Sequence, residues 1–206
     1  MTAVGLLDMA SVFVFALTGG LAASRAQLDV IGFIFIACLT ALGGGTVRDL
    51  LLDREILWIA SPKFLGLASF AAVLVFFSAH LLESRIRTLT WFDAFALAVA
   101  VPAGVGAALA SEASWPIVLV MGIATGCFGG LMRDVVCNEV PLVLKQGELY
   151  VTCCLAGAGA ALMALAAGMP TGMALIICAG VTLLLRAGSL SFGWKLPVYK
   201  PRPPRR

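Results

Sequence analysis

Charge is scarce in this chain. Only 12% of its 206 residues are Asp, Glu, Lys or Arg. Soluble domains carry about 25% charged and about 45–50% apolar residues. Here 61% are hydrophobic and the mean hydropathy is +1.04. That excludes a water-soluble domain and leaves an integral membrane protein. Histidine is nearly absent too, with His80 alone. There is no Ser-His-Asp set, no cluster of metal-ligand spacing and no nucleotide loop, so the chain does not read as an enzyme and no cofactor is expected. Six cysteines are present (Cys38, Cys127, Cys137, Cys153, Cys154 and Cys178), without a CxxC pair. Most lie in apolar runs and read as small core hydrophobes. His80 ends an apolar segment and reads as a solvated surface residue. The opening "MTAVGLLDMA" lacks the basic region of a signal peptide, so the first apolar run is expected to stay in the mature protein.

The net charge is +3, and five of the fourteen Lys and Arg lie in the final "KLPVYKPRPPRR". Such a short basic tail beside a membrane reports topology and attraction to anionic lipid. It does not suggest nucleic-acid binding. Its Pro-rich, polar composition predicts disorder, and residues 189–206 read as a basic cytoplasmic tail.

Seven apolar segments follow one another: 4–23, 28–52, 64–82, 92–110, 115–137, 149–168 and 170–187. Each is close to the about 20 residues that span a bilayer as a helix. The expected fold is therefore an all-α polytopic membrane protein with seven transmembrane helices. Trp91, Trp115, Trp194, Tyr150 and Tyr199 fall at or beyond segment ends, where aromatic side chains anchor at the interface. Pro116 and Pro170 sit at helix starts and Pro62 lies just before one. With the N-terminus outside, Arg25, Arg85, Arg87, Lys145, Lys195, Lys200, Arg202, Arg205 and Arg206 fall inside, against Arg54 and Lys63 outside. That bias predicts N-out, C-in.

Sliding the sequence by 85 residues exposes a repeat. Asp8 falls on Asp93, Gly19 on Gly104, Thr40 on Thr125, Gly44-Gly45 on Gly129-Gly130, and Arg48-Asp49 on Arg133-Asp134. Each unit holds three spans. Because three is odd, the second unit enters from the opposite side, making an inverted repeat. The units are 1–86 and 87–169, followed by a seventh helix at 170–188.

The second span of each unit, "ALGGGTVRDLLL" and "GCFGGLMRDVV", carries consecutive glycines and then Arg-Asp. Glycine in a helix costs about 1 kcal/mol relative to alanine. The expectation is local unwinding at Gly43, Gly44, Gly45 and at Gly129, Gly130, giving broken second and fifth helices. Freed carbonyls would line a polar path between them. Arg48, Asp49, Arg133 and Asp134 would line its mouths or cap the broken helices. Asp8 and Asp93, near helix starts, either favour the helix dipole, attract a cation, or pair with an arginine of the opposite unit. Thr40 and Thr125 either face a permeant ion or bond back to their own helix. Pro102 should kink only the second copy.

These residues resemble a known family. Two three-span units, each with "GG(G)xxRD" in the second span, "NEVP" after the second copy and a lone last span, are similar to the trimeric intracellular cation channel family. The likeness is to its prokaryotic branch, also labelled glycine-transporter-like, and covers residues 4 to 188. It implies a homotrimer in the bacterial inner membrane, with one ion path per subunit between the two glycine-bearing helices. It implies permeation by monovalent cations, chiefly potassium, with Gly43 to Gly45 and Phe128 to Gly130 lining the path. Phe128 stands where the first copy has Gly43, and would narrow the path or gate it. The alternative function is a secondary transporter of a small amino acid such as glycine, with Asp8, Asp49, Asp93 or Asp134 as the coupling acid.

Overall fold

The apolar segments fold as helices. The computed structural model describes residues 3–82, 84–145 and 148–197. They form α1 (Ala3–Arg25), α2 (Val30–Leu51), α3 (Leu57–Ala60), α4 (Lys63–Ser78), α5 (Arg85–Ala110), α6 (Trp115–Val136), α7 (Val151–Ala166) and α8 (Thr171–Phe192). Helices α1, α2, α4 (with the turn that follows it), α5, α6 and α8 are long and apolar enough to cross a membrane. Helix α7 has 16 residues. At about 1.5 Å per residue it is shorter than a hydrocarbon core of about 30 Å.

Helix ends follow local chemistry. The Asp29 carboxylate accepts the Gly32 N–H at 2.7 Å, and Ser84 Oγ accepts the Arg87 N–H at 3.4 Å. The Ser84 cap lets α5 begin at Arg85, ahead of the apolar run predicted from residue 92. Pro62 and Pro170 occupy N-caps, and Pro116 sits in the first turn of α6. Helix α8 runs past its predicted end at 187 and stops at Gly193, whose φ is +68°. Arg186 thus lies inside the helix rather than ending it. The segment just after it is ordered: Trp194 packs on Gly188 and its carbonyl accepts the Ser189 hydroxyl. Tyr199 and the rest of the basic tail lie outside the described residues.

Helix α5 is the most buried and packs against α1, α6 and α8; α2 crosses α6, and α7 lies on α8. Cys127, Cys153, Cys154 and Cys178 are buried among them, and His80 is exposed.

The expected unwinding is absent. Helical hydrogen bonding continues through Gly43–Gly45 in α2 and Phe128–Gly130 in α6, and α5 stays helical past Pro102, which has no N–H to donate. Magnitudes explain the correction. Three glycines cost about 3 kcal/mol of propensity, whereas each backbone group freed in hydrocarbon costs several. The glycines permit contact instead. A Cβ on Gly44 would overlap the Thr125 carbonyl oxygen, and one on Gly129 would overlap that of Thr40. Residue 44 meets 125 and 129 meets 40, so the two helices cross antiparallel.

Local geometry recurs at the 85-residue offset. Among the described residues, the non-glycine positions with positive φ are Gln27 and Glu112, and Asp53 and Asn138, at +51° to +55°. Arg54 N–H donates to Asp49 O, and Glu139 N–H to Asp134 O, both at 2.8 Å.

Overpacking a tight contact costs about 1–3 kcal/mol. Gly44→Ala and Gly129→Ala should each lower the thermal midpoint of the detergent-purified protein by several degrees. Gly66→Ala, whose added methyl meets nothing within 4 Å, should leave it unchanged or raise it.

Candidate functional site

Both helices of the crossing carry Arg-Asp one turn past the contact glycine. Because α2 and α6 run antiparallel, the two pairs lie on opposite sides of it. In the first, Arg48 Nε donates to Asp49 Oδ1 at 2.8 Å and Nη1 to Asp8 Oδ1 at 2.7 Å. Asp49 Oδ2 accepts the Leu57 N–H at 3.1 Å, tying down the loop after α2. The second cluster repeats this. Arg133 Nε donates to Asp134 Oδ1 at 2.7 Å and Nη1 to Asp93 Oδ1 at 3.1 Å. Asp134 Oδ2 accepts the Leu142 N–H at 2.9 Å. Each acid therefore pairs with the arginine of its own unit, not the opposite one. Arg133 also reaches across the units, from Nη1 to Thr18 Oγ1 at 2.9 Å.

Arg48 and Arg133 are fully buried, with 1% and 0% exposure. A buried guanidinium persists only when its charge is met and its donors are bonded. Here two carboxylates face each one.

Beside the first cluster, against the helix crossing, lies a small cavity of about 10 Å³, about the space one water centre needs. Asp8, Ser11, Thr40, Gly44, Gly45 and Thr125 line it, with Phe15, Leu57 and Ala100. Gly43, Phe128, Gly129 and Gly130 are not on its wall. Gly43 faces Met132, Gly129 is pressed on Thr40, and Phe128 is half-buried. Both threonine hydroxyls bond back to their own helices, Thr40 to Ile36 O at 2.6 Å and Thr125 to Met121 O at 2.7 Å.

A third buried arginine, absent from the sequence-predicted site, carries a sequence signal of its own. Arg186 interrupts an apolar span, and intramembrane charges mark function by default. It is fully buried, donates from Nη2 to Glu148 Oε2 at 2.9 Å, and its guanidinium carbon lies 5.0 Å from the Tyr150 ring centroid. Tyr150 is accordingly 2% exposed, a core residue and not the interfacial anchor its position suggested. Trp115 and Trp194 do remain half exposed.

Removing one partner of a buried ion pair costs about 3–5 kcal/mol. Arg48→Met and Arg133→Met should each abolish or sharply reduce recovery of folded protein, read by size-exclusion and thermal unfolding. Arg54→Ala removes one partly buried bond to Ala107 O and should cost only about 1 kcal/mol.

Comparison with known proteins gives this architecture relatives. A family model described as glycine transporter matches residues 5–80 and again 90–166. The UPF0126 membrane protein of Vibrio cholerae is 38% identical over 200 residues, covering 94% of this chain and 82% of that one. The UPF0126 inner membrane protein YadS of Escherichia coli is 34% identical over 199 residues, covering 94% of each. The crystal structure of the trimeric intracellular cation (TRIC) channel orthologue from Rhodobacter sphaeroides superposes with a TM-score of 0.90 at 38% identity. It covers 94% of this chain and 100% of that one. With both halves matched by one family model and the whole fold shared with a solved member, the chain belongs to the prokaryotic TRIC, or glycine-transporter, family of membrane proteins.

Proposed function

We propose that the protein is a cation channel whose path runs, once per subunit, past the α2–α6 crossing. The observation that carries this is the pair of buried Arg–Asp–Asp clusters, each with one carboxylate in excess, flanking the backbone contact of Gly44 and Gly129. Excess negative charge at both mouths of a narrow, low-dielectric path favours cations and disfavours anions. The small cavity beside Asp8, Thr40 and Gly44 lies on that path, and the glycine contact closes it. Opening requires the glycine contact to part. No strong hydrogen bond crosses it among the described residues, so separation is inexpensive.

In this reading α7, with flanking residues, completes seven spans, and residues 1–86 and 87–169 form two units of opposite orientation. The N-terminus lies outside and the C-terminus inside, and three copies assemble, as the channel orthologue's description supports. Potassium is the chief permeant ion. The glycine-transporter alternative has the family label behind it. A site for glycine needs far more room than the cavity offers.

The test uses purified protein in sealed liposomes under a potassium chloride gradient, with labelled glycine uptake measured in the same vesicles. Cation-selective flux without saturable glycine uptake is expected; the reverse result sinks the channel. Combining Asp8→Asn with Asp93→Asn removes the excess charge of both clusters. It should lower the potassium-to-chloride permeability ratio by about tenfold, the low end of field focusing by a charged cleft. Phe128→Ala should raise flux if the ring narrows the path, and unchanged flux removes it from the lining.

A further inference from the structure

The two halves match in charge but not in filling. A methyl group built on Gly45 would meet only Arg48 Nη2, at 4.0 Å. At the equivalent Gly130 it would lie 3.2 Å from Tyr150 Oη, 3.6 Å from Arg133 Nη2 and 3.6 Å from Asp93 Oδ1. The first half thus keeps a small cavity where the second half holds a tyrosine hydroxyl. The ring comes from the start of α7, and nothing at the 85-residue offset supplies another: Leu65 stands there.

Tyr150 is held from behind. Arg186 of α8 lies against its ring within the range of a cation–π contact. Glu148 binds Arg186 Nη2, and Glu148 is in turn bridged by its backbone to Lys195, just past α8. Arg186 Nε and Nη1 are buried without a hydrogen-bond partner, and so are Arg133 Nη2 and Asp93 Oδ2. Unmade bonds on a buried guanidinium are costly.

We propose that Tyr150 is the stopper of the second half of the path, and that Arg186 is the residue that positions it. The proposal rests on the channel reading. Swinging the ring from Gly130 frees Arg133 and Asp93 to water and gives this half the space that the first half already has. Helix α8, which lies outside both units, then acts on conduction through one side chain.

The experiment is potassium flux into liposomes from wild type, Tyr150→Ala, Tyr150→Phe, Arg186→Gln and the Tyr150→Ala/Arg186→Gln double variant. Size-exclusion profile and thermal midpoint are recorded for each. Tyr150→Ala is expected to raise flux by about tenfold, within the usual range of coupling between sites. Tyr150→Phe, which keeps the ring and loses the hydroxyl, should fall between it and wild type. Arg186→Gln should raise flux as well, and the double variant no further than Tyr150→Ala. Additive effects overturn the positioning role of Arg186. A conducting wild type with folded Tyr150→Ala no more active overturns the stopper. If Tyr150→Ala does not assemble, wild-type flux in Tyr150→Phe overturns it. No flux in any protein overturns the channel reading, and this inference with it.

Discussion

Everything in this fold depends on two helices that touch backbone to backbone at their crossing. Gly44 and Gly129 let α2 and α6 meet backbone to backbone, each pressed on a threonine carbonyl of the other. The Thr40 and Thr125 hydroxyls turn back to their own helices, so they do not bridge the contact. What holds it is dispersion and weak C–H···O contact, each worth well under a strong hydrogen bond. The same closeness brings the arginine of each helix, one turn on, under the first helix of its own unit. The crossing therefore sets both where the charges sit and how easily the helices separate.

The clusters show how charge is kept inside an apolar bundle. Neither aspartate of a pair is spare: one ties the arginine to the first helix of the unit, and the other ties it to the loop that follows. Asp49 and Asp134 stand near helix C-termini, where the dipole opposes a carboxylate. Arginine and a loop N–H offset that at both sites. The loop order and the charge arrangement are one structure, so nothing can enter beside the arginine without disturbing the loop.

Much of this was legible in the residues. Apolar runs located the spans because hydrocarbon demands continuous helix. The 85-residue register was visible because polar residues in a membrane are rare enough for coincidence to stand out. The partners of those residues were not visible, since Asp8 and Asp93 could have reached either arginine, and only packing decides. The glycines mislead because propensity weighs a glycine against alanine in water, whereas in lipid an unpaired backbone group costs more than the glycine does. Close approach, the actual reason for glycine, depends on a partner 85 residues away. Tyr150 looked like an interfacial aromatic because its neighbour in space, Arg186, is distant in sequence. Arg186 itself was readable, as a charge inside an apolar helix.

On the channel reading proposed above, a path built from two inverted units would begin with equivalent halves and no preferred end. The ring of Tyr150 removes that equivalence. It is present on one side only, and it is held there by a helix that belongs to neither half. A molecule of otherwise balanced halves thereby distinguishes one face of the membrane from the other. If the proposed path passes the ring, a driving force that pushes ions toward it and one that draws them away would meet different obstacles, which is the asymmetry from which rectification arises.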